Sequence, residues 1–350
     1  MIEFLMMAGS LGLFIYGMKV LSEGLQKMTG GPLRKALDTM TRSPARGVFT
    51  GTITTTIVQY SSVTSVMVVS FVNAGLLSLR QAIPVLMGAN IGTTIKLLLF
   101  AAINLAALKM SSIALPIVGL ALPFLFMRGA RMRSISEVMV GTALLFLALG
   151  FLKDSLPQPS PQTLEFFHEL AGLGILSDLL FVLAGALLAI IIQSSSIALV
   201  LTVMLCEKGT ITYEMAAALV LGENIGTTLT ANIAALVGNA WAKRAARAHF
   251  LIKLFGACWA LLLLRPYLSA LAWFTEEVHG ADPYLNTDVL KWSLTYLHFS
   301  FNLLNTLLLV QFVPWIERIV TWMVPVRNAP DEEYRLEYIE DPMMHLTPEL

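Results

Sequence analysis

The feature that most constrains the fold is an internal duplication at a constant spacing of 134 residues. No gap is needed to align the two copies. The matching residues are Gly51, Gln59, Ser61, Ser62, Gly75, Gly88 and Asn90-Ile91-Gly92-Thr93-Thr94 in the first copy, and Gly185, Gln193, Ser195, Ser196, Gly209, Gly222 and Asn224-Ile225-Gly226-Thr227-Thr228 in the second. A five-residue identity in register with a second polar motif is very improbable by chance. We therefore expect two related structural units.

The composition places these units in a lipid bilayer. Hydrophobic residues make up 56% of the 350-residue chain and charged residues 13%, whereas a soluble domain has about 25% charged residues. Nearly charge-free stretches recur from Leu5 to Val324, which predicts several membrane spans and an all-α polytopic membrane protein. The net charge of zero argues against nucleic acid as a partner. No motif predicts a cofactor.

Two stretches differ from the ordinary predicted crossings. The crossings are predicted at 5–22, 83–105, 112–127, 134–152, 213–238, 249–269 and 292–313. The two further stretches, 47–76 and 179–206, carry no charge and are rich in Gly, Ser and Thr around a central Gln. Each exceeds the about 20 residues that one crossing needs. Each could cross once with residues to spare, or enter as two half-helices and return.

Loop charges favour the second alternative. Segments 23–46, 128–133 and 241–247 are basic, whereas 153–178 and the region from Glu276 to Asp288 are acidic. Basic loops prefer the cytoplasm. All five assignments are met together if both stretches are re-entrant hairpins, with the N-terminus outside and the C-terminus cytoplasmic. Three crossings then separate the hairpins, so the second repeat is inverted relative to the first, a recurring transporter plan.

This topology divides the chain into five parts. They are an N-terminal helix and basic segment (1–46), repeat 1 (47–152, hairpin 47–76), an external loop (153–178), repeat 2 with the C-terminal helices (179–324, hairpin 179–206) and a polar tail or linker (325–350).

Polar residues in the duplicated segments form the candidate site. Between Thr50 and Ser65, eleven of sixteen residues are Thr, Ser, Gln or Tyr, so this stretch must face protein or a water-filled cavity. Neutral side-chain oxygens can replace part of the hydration shell of sodium, while hydroxyl, amide and free helix N–H groups can hold an oxyanion. The candidates are Gln59, Ser61, Ser62, Thr64, Asn90, Thr93, Thr94, Gln193, Ser194, Ser195, Ser196, Asn224, Thr227 and Thr228.

The alternative is that these small polar residues only pack helices, as they commonly do in membranes. For any single Thr of 50–56 helix packing is the stronger interpretation. For the duplicated Gln-x-Ser-Ser positions the repetition favours a site.

Two charges within predicted spans are accessory candidates, because intramembrane charges are functional by default. Lys96 follows the first Asn-Ile-Gly-Thr-Thr motif and Glu223 lies inside the second. They could pair across the pseudo-twofold axis. Alternatively, Lys96 snorkels to the interface and Glu223 lies at a helix start.

At these motifs the chain resembles the type II sodium-dependent phosphate cotransporter family, in which a Gln-Ser-Ser-Ser motif occurs twice, each time followed by Gly-x-Asn-Ile-Gly-Thr-Thr. The segment from Phe14 to Leu25 is similar to the bacterial branch. The resemblance implies sodium-coupled transport of inorganic phosphate across a bacterial inner membrane. It also implies that Gln59, Ser61, Ser62 and 193–196 bind both ions. The first copy departs from the pattern at Tyr60, where Ser is usual, and Lys96 is a second departure.

The resemblance also bears on the tail. Many bacterial relatives continue into a cytoplasmic helical domain similar to the phosphate regulator PhoU, and 341–350 looks like a linker into such a domain. We therefore expect a PhoU-like domain after residue 350.

Three other functions remain to be weighed. Within the transporter class, the cargo could be another oxyanion or the direction could be export. A membrane sensor or scaffold for phosphate regulation is a different class, which predicts that Gln59 and Gln193 are dispensable. An intramembrane serine hydrolase needs one activated Ser near one His and gives no reason for a duplicated motif. We therefore expect a protein that is not an enzyme.

Overall fold

The computed structural model describes residues 2–29, 41, 43–58, 60–102, 110–127, 129–155, 162, 165–166, 169–170 and 172–325, and every regular element in these ranges is helical. The α-helices are α1 (Ile2–Thr29), α2 (Pro44–Val58), α3 (Ser61–Asn73), α4 (Leu79–Ala102), α5 (Met110–Phe126), α6 (Ala130–Ser155), α7 (Ile175–Ile192), α8 (Ser195–Glu207), α9 (Tyr213–Gly226), α10 (Thr228–Ala234), α11 (Ala240–Leu262), α12 (Leu264–His279), α13 (Leu290–Leu309) and α14 (Val313–Met323). Short 3₁₀ turns lie at Ala235–Val237, Thr287–Val289 and Val310–Phe312.

Three helical segments of the described chain are long and apolar enough to cross a membrane. They are Ile175–Ile192, Ala240–Leu262 and Thr287–Met323. Helix α7 exposes Leu183, Leu187 and Ile191 while it buries Gly185 and Ala189. An exposed apolar face of this kind is suited to lipid contact. The prediction of an all-α membrane protein is confirmed at this level.

The predicted boundaries are wrong at one crossing. A single span at 249–269 was expected after a basic loop at 241–247, but α11 starts at Ala240 and ends at Leu262. Asn239 explains the early start, because its side chain accepts hydrogen bonds from the amides of Trp241 and Ala242, both at 3.0 Å. Such an N-cap satisfies donors that the helix itself leaves free. The basic residues therefore lie in the first turns of a helix.

The duplication is repeated in the helix packing. Helices α2, α3 and α4 lie 134 residues before α7, α8 and the α9–α10 pair. Helix α2 packs along α4, and α7 packs along α9 in the same way. The two units therefore share both their order of helices and their main contact.

Glycines permit this contact in both units. A methyl group added at Gly88 would collide with the carbonyl of Val48, and one added at Gly222 would collide with the carbonyl of Val182. Val48 and Val182 are again 134 residues apart. Because only glycine lets two helix backbones approach so closely, the matching glycines are explained by packing.

The two units differ at the second polar motif. Helix α4 continues through Thr93 and Thr94, whereas the equivalent helix is interrupted at Thr227, between α9 and α10. The predicted crossing at 213–238 is therefore a series of short helices.

Helices α11 and α13 lie between the two units, since both contact α4 of the first unit and α9 of the second. Helix α11 also contacts α3. The buried apolar side chains form two main clusters, one centred on α9 and α13 and one centred on α4 and α11.

The ends of each broken segment lie side by side. In the first unit Gln81 Nε2 donates to Thr41 Oγ1 at 3.3 Å, and these residues precede α2 and follow α3. In the second unit Arg265 lies 3.2 Å from the carboxylate of Asp178 in α7 and 3.7 Å from that of Glu214 in α9. Each chain segment of two helices thus comes back towards its own start.

Candidate functional site

The duplicated Gln-x-Ser-Ser motifs fall at the break inside each pair of helices. Helix α2 ends at Val58 and α3 begins at Ser61, with Tyr60 in an extended conformation. Helix α7 ends at Ile192, Gln193 has a left-handed backbone with a φ of 57°, and Ser194 is extended before α8. Gln59 lies outside the described residues.

The start of the second helix in each pair is not capped by a side chain. Neither Tyr60 nor Ser194 makes a capping hydrogen bond with its side chain. The first amides of α3 and α8 have no acceptor within their own helix, and each helix N-terminus has a partial positive charge. Both helices have 13 residues. Two N-termini suited to an anion are therefore found at equivalent positions.

The two breaks lie next to each other. Ser62 Oγ, in the first turn of α3, donates to the backbone carbonyl of Gln193 at 3.3 Å, across 131 residues of sequence. The Gln193 side chain is exposed, while Ser194, Ser195 and Ser196 are mostly buried. Ser61 and Ser62 are half-buried. The model thus brings the first-copy serines and the second-copy motif together.

The threonine candidates use their hydroxyl protons locally. Thr93 donates to Ala89 O at 3.1 Å, Thr94 to Ile91 O at 2.7 Å, Thr227 to Asn224 O at 2.9 Å and Thr228 to Ile225 O at 2.8 Å. Thr64 donates to Tyr60 O at 3.3 Å and accepts from Thr55 at 3.1 Å. These hydroxyls keep acceptor lone pairs, so they can offer oxygen to a cation but not a proton to an anion.

The two duplicated asparagines contact one helix, α11, at positions one turn apart. His249 Nε2 lies 3.4 Å from Asn90 Oδ1. Lys253 Nζ donates to Asn224 Oδ1 at 2.6 Å. All four side chains are buried. Helix α11 therefore links both Asn-Ile-Gly-Thr-Thr motifs.

Glu223, beside Asn224, is completely buried. Its Oε1 accepts from Thr202 of α8 at 2.6 Å, and its Oε2 has no hydrogen-bond partner among the described residues. The Lys96 side chain lies outside the described part, and with it the predicted pairing with Glu223. No group of three His, Cys, Asp or Glu in the described chain could hold a metal ion, so any cation here depends on neutral oxygens and this carboxyl.

Sequence reasoning missed several polar residues of the centre. Besides Lys253 these are Thr202, Asn302 and Asn305. Asn302 Oδ1 accepts from Lys253 at 2.7 Å, and Asn305 Oδ1 accepts from Trp259 Nε1 at 3.2 Å. The available signal was a lysine and two asparagines within apolar helical sequence, since such residues mark functional sites in membranes.

Comparison with known proteins decides the family. The family model described as Na+/Pi-cotransporter matches residues 13–154 and 174–271, more than half of the chain. The chain belongs to this family of phosphate transporters. The match includes both broken helix pairs and most of α11. It also confirms the expected resemblance.

Curated relatives are similar over different lengths. The chain is 27% identical over 318 residues to "Uncharacterized protein YqeW" of Bacillus subtilis, covering 90% of this chain and 96% of that protein. It is 28% identical over 338 residues to "Putative inorganic phosphate export protein YjbB" of Salmonella typhimurium, covering 96% of this chain but 58% of that protein. It is 37% identical over 93 residues, 26% of this chain, to "Sodium-dependent phosphate transport protein 2A" of Rattus norvegicus, of which it covers 14%. No solved structure matches.

Proposed function

We propose that this Na+/Pi-cotransporter family member is a secondary active transporter that couples sodium ions to inorganic phosphate by alternating access across the bacterial inner membrane. The observation that carries this proposal is the meeting of two equivalent, uncapped helix N-termini at the Ser62–Gln193 contact. Half-helix N-termini at a repeat interface are a recurring solution for anionic substrates.

Phosphate would lie between the starts of α3 and α8. The free amides there and the hydroxyls of Ser61, Ser62, Ser195 and Ser196 are donors for its oxygens, and the Gln59 and Gln193 amides add further donors. Neutral donors bind less tightly than arginine pairs. That weakness suits a carrier, since it must also release its cargo.

Sodium would bind to oxygens beside the breaks. The Thr64, Thr93, Thr94, Thr227 and Thr228 hydroxyls keep free lone pairs, and Glu223 Oε2 is an unpartnered carboxyl oxygen within the described chain. Thr202 and Glu223 join α8 to α9, so a cation at Glu223 would act on the helix that begins at the phosphate site. Cation and anion would thereby stabilise each other.

Contacts at the two ends of α11 support inverted, re-entrant hairpins. At its start, the Asn239 amide donates to Asn73 Oδ1, at the end of α3, at 2.8 Å. Beyond its other end, Arg265 pairs with Asp178 and Glu214, which flank the α7–α8 pair. The 23 residues of α11 span about 35 Å at 1.5 Å per residue, the thickness of a membrane core.

The side assignments have independent support. Lys27, in the last turn of α1, pairs with Glu137 of α6 at 2.7 Å. This contact brings the basic segments 23–46 and 128–133 to one side. With the basic start of α11 on that side, the N-terminus is outside and the tail is cytoplasmic.

The names of the relatives favour a second candidate for the direction of transport. The YjbB proteins are named as putative phosphate exporters, whereas the mammalian proteins are named for sodium-dependent phosphate transport. Export can use the same site, because direction depends on the gradients that the carrier meets. A sensor without transport is the remaining alternative.

Reconstitution of the full chain into liposomes tests the proposal. We expect an inward sodium gradient to drive accumulation of radiolabelled phosphate, and equal potassium or choline not to do so. Reversing the gradient should drive efflux. Phosphate movement without any sodium dependence would remove the coupling, and its absence from folded, oriented protein would favour the sensor.

A further inference from the structure

Lys253 is a buried ammonium at the centre of the protein with no acidic partner within ion-pair distance among the described residues. Its side chain is 4% exposed. Its Nζ donates to Asn224 Oδ1 at 2.6 Å and to Asn302 Oδ1 at 2.7 Å, and it lies 6.0 Å from the centroid of the Phe301 ring. An isolated buried charge is costly, so its presence requires an explanation.

The two amide oxygens that face Lys253 are held in position by the backbone. Asn224 Nδ2 donates to Val220 O at 2.9 Å, and Asn302 Nδ2 donates to His298 O at 2.8 Å. Each amide is thereby oriented with its oxygen towards Nζ. Two fixed carbonyl oxygens and an aromatic face make a site for a small monovalent cation.

The first unit lacks this arrangement. The equivalent of Asn224 is Asn90, and its oxygen faces His249 at 3.4 Å. An ammonium therefore contacts only the second of the two duplicated asparagines. The difference places a permanent positive charge beside one Asn-Ile-Gly-Thr-Thr motif.

We propose that Asn224 and Asn302 form a monovalent cation site that the Lys253 ammonium fills permanently, so that Lys253 stands in place of one transported sodium ion. This inference rests on the proposed sodium-coupled function for its role in transport, although the cation site itself does not. A carrier for an anion needs compensating positive charge in the low dielectric of the membrane. A built-in ammonium supplies one such charge and lowers by one the number of sodium ions carried with each phosphate.

Substitutions that separate charge from space test the site. Lys253→Ser removes the charge, leaves room and adds a hydroxyl ligand, whereas Lys253→Met removes the charge but fills the room. Lys253→Arg retains the charge. Lys243→Ser, on the same helix, is the matched control. Each full-length variant is purified and its Tm measured in sodium chloride and in choline chloride at equal ionic strength.

We expect Lys253→Ser to gain a sodium-specific rise in Tm that exceeds the rise of the unsubstituted protein, since a ligand of the native state stabilises it. Met, Arg and the Lys243→Ser control should show no gain. Equal sodium responses of Lys253→Ser and the unsubstituted protein, or an equal gain in Lys253→Met, would overturn the proposal. If Lys253→Ser does not elute as a folded species in choline, sodium must restore its elution, and failure to do so also overturns the site.

Transport gives the second readout. In liposomes, parallel uptake of radiolabelled sodium and phosphate should give one more sodium per phosphate for Lys253→Ser than for the unsubstituted protein. An unchanged ratio would overturn the coupling role. If the unsubstituted protein itself moves phosphate without sodium, the proposed function fails instead, and the Tm measurements still decide whether the cation site exists.

Discussion

Ser62 Oγ lies 3.3 Å from the backbone carbonyl oxygen of Gln193, although 131 residues separate them. This contact joins the start of α3 to the break between α7 and α8. It makes one site of two motifs that the sequence only repeats.

Ser62→Ala should weaken this junction with little effect on folding. One hydrogen bond contributes about 0.5–1.5 kcal/mol, and this one is partly solvent-exposed, so we expect a small fall in the unfolding free energy. Loss of a hydroxyl at the proposed phosphate site should raise KM for phosphate several-fold. The matched control is Ser70→Ala in the same helix, whose hydroxyl bonds only to Val66 O. Equal KM values for the two variants would remove Ser62 from the site.

Gln193 permits a test that separates its backbone from its side chain. Its left-handed conformation costs a non-glycine residue about 1–2 kcal/mol, while glycine costs about 0.5–1 kcal/mol in chain entropy. Gln193→Gly should therefore leave Tm unchanged or slightly raised, yet abolish phosphate uptake, because the side-chain amide is lost. Gln193→Ala keeps the strain and should also lose uptake. Normal uptake by a stable Gln193→Gly protein would contradict a ligand role.

The duplication and the helical class were predictable because each depends on residue type at fixed spacing. The glycines at 88 and 222 are needed for helix contact in both units, so the constant offset was a direct trace of packing. The breaks at residues 59–60 and 193–194 were also indicated, since polar residues interrupt an otherwise apolar run.

The rest depended on contacts between elements distant in sequence. Nothing local to Lys253 states that α13 will bring Asn302 to its ammonium. Likewise, the start of α11 at Ala240 depends on the Asn239 cap, and charge counting alone assigned that segment to a loop. Polar partners across a buried interface need the tertiary structure.

Gly222→Ala should destabilise the second unit. Its added methyl group would meet the Val182 carbonyl, and overpacking of this kind costs about 1–3 kcal/mol. We expect a lower Tm and reduced uptake, with the same result for Gly88→Ala in the first unit. Gly119→Ala in α5 is the control, because nothing lies within 4 Å of its added methyl. A Tm for Gly222→Ala equal to that of this control would contradict the close contact of α7 and α9.

Single cysteines at equivalent positions test the inversion. Ser78 and Thr212 are 134 residues apart, both are exposed, and each follows one broken helix pair. In a background with Cys206 and Cys258 replaced, a membrane-impermeant maleimide should label Thr212→Cys in intact spheroplasts and Ser78→Cys only in inside-out vesicles. Loss of either N-terminal capping side chain costs about 1 kcal/mol, so folding is checked by elution from a sizing column. Since α11 links α3 at its start to the Asp178–Arg265 pair beyond its end, labelling of both cysteines from the same side would exclude inverted repeats, and with them alternating access by exchange between two equivalent halves.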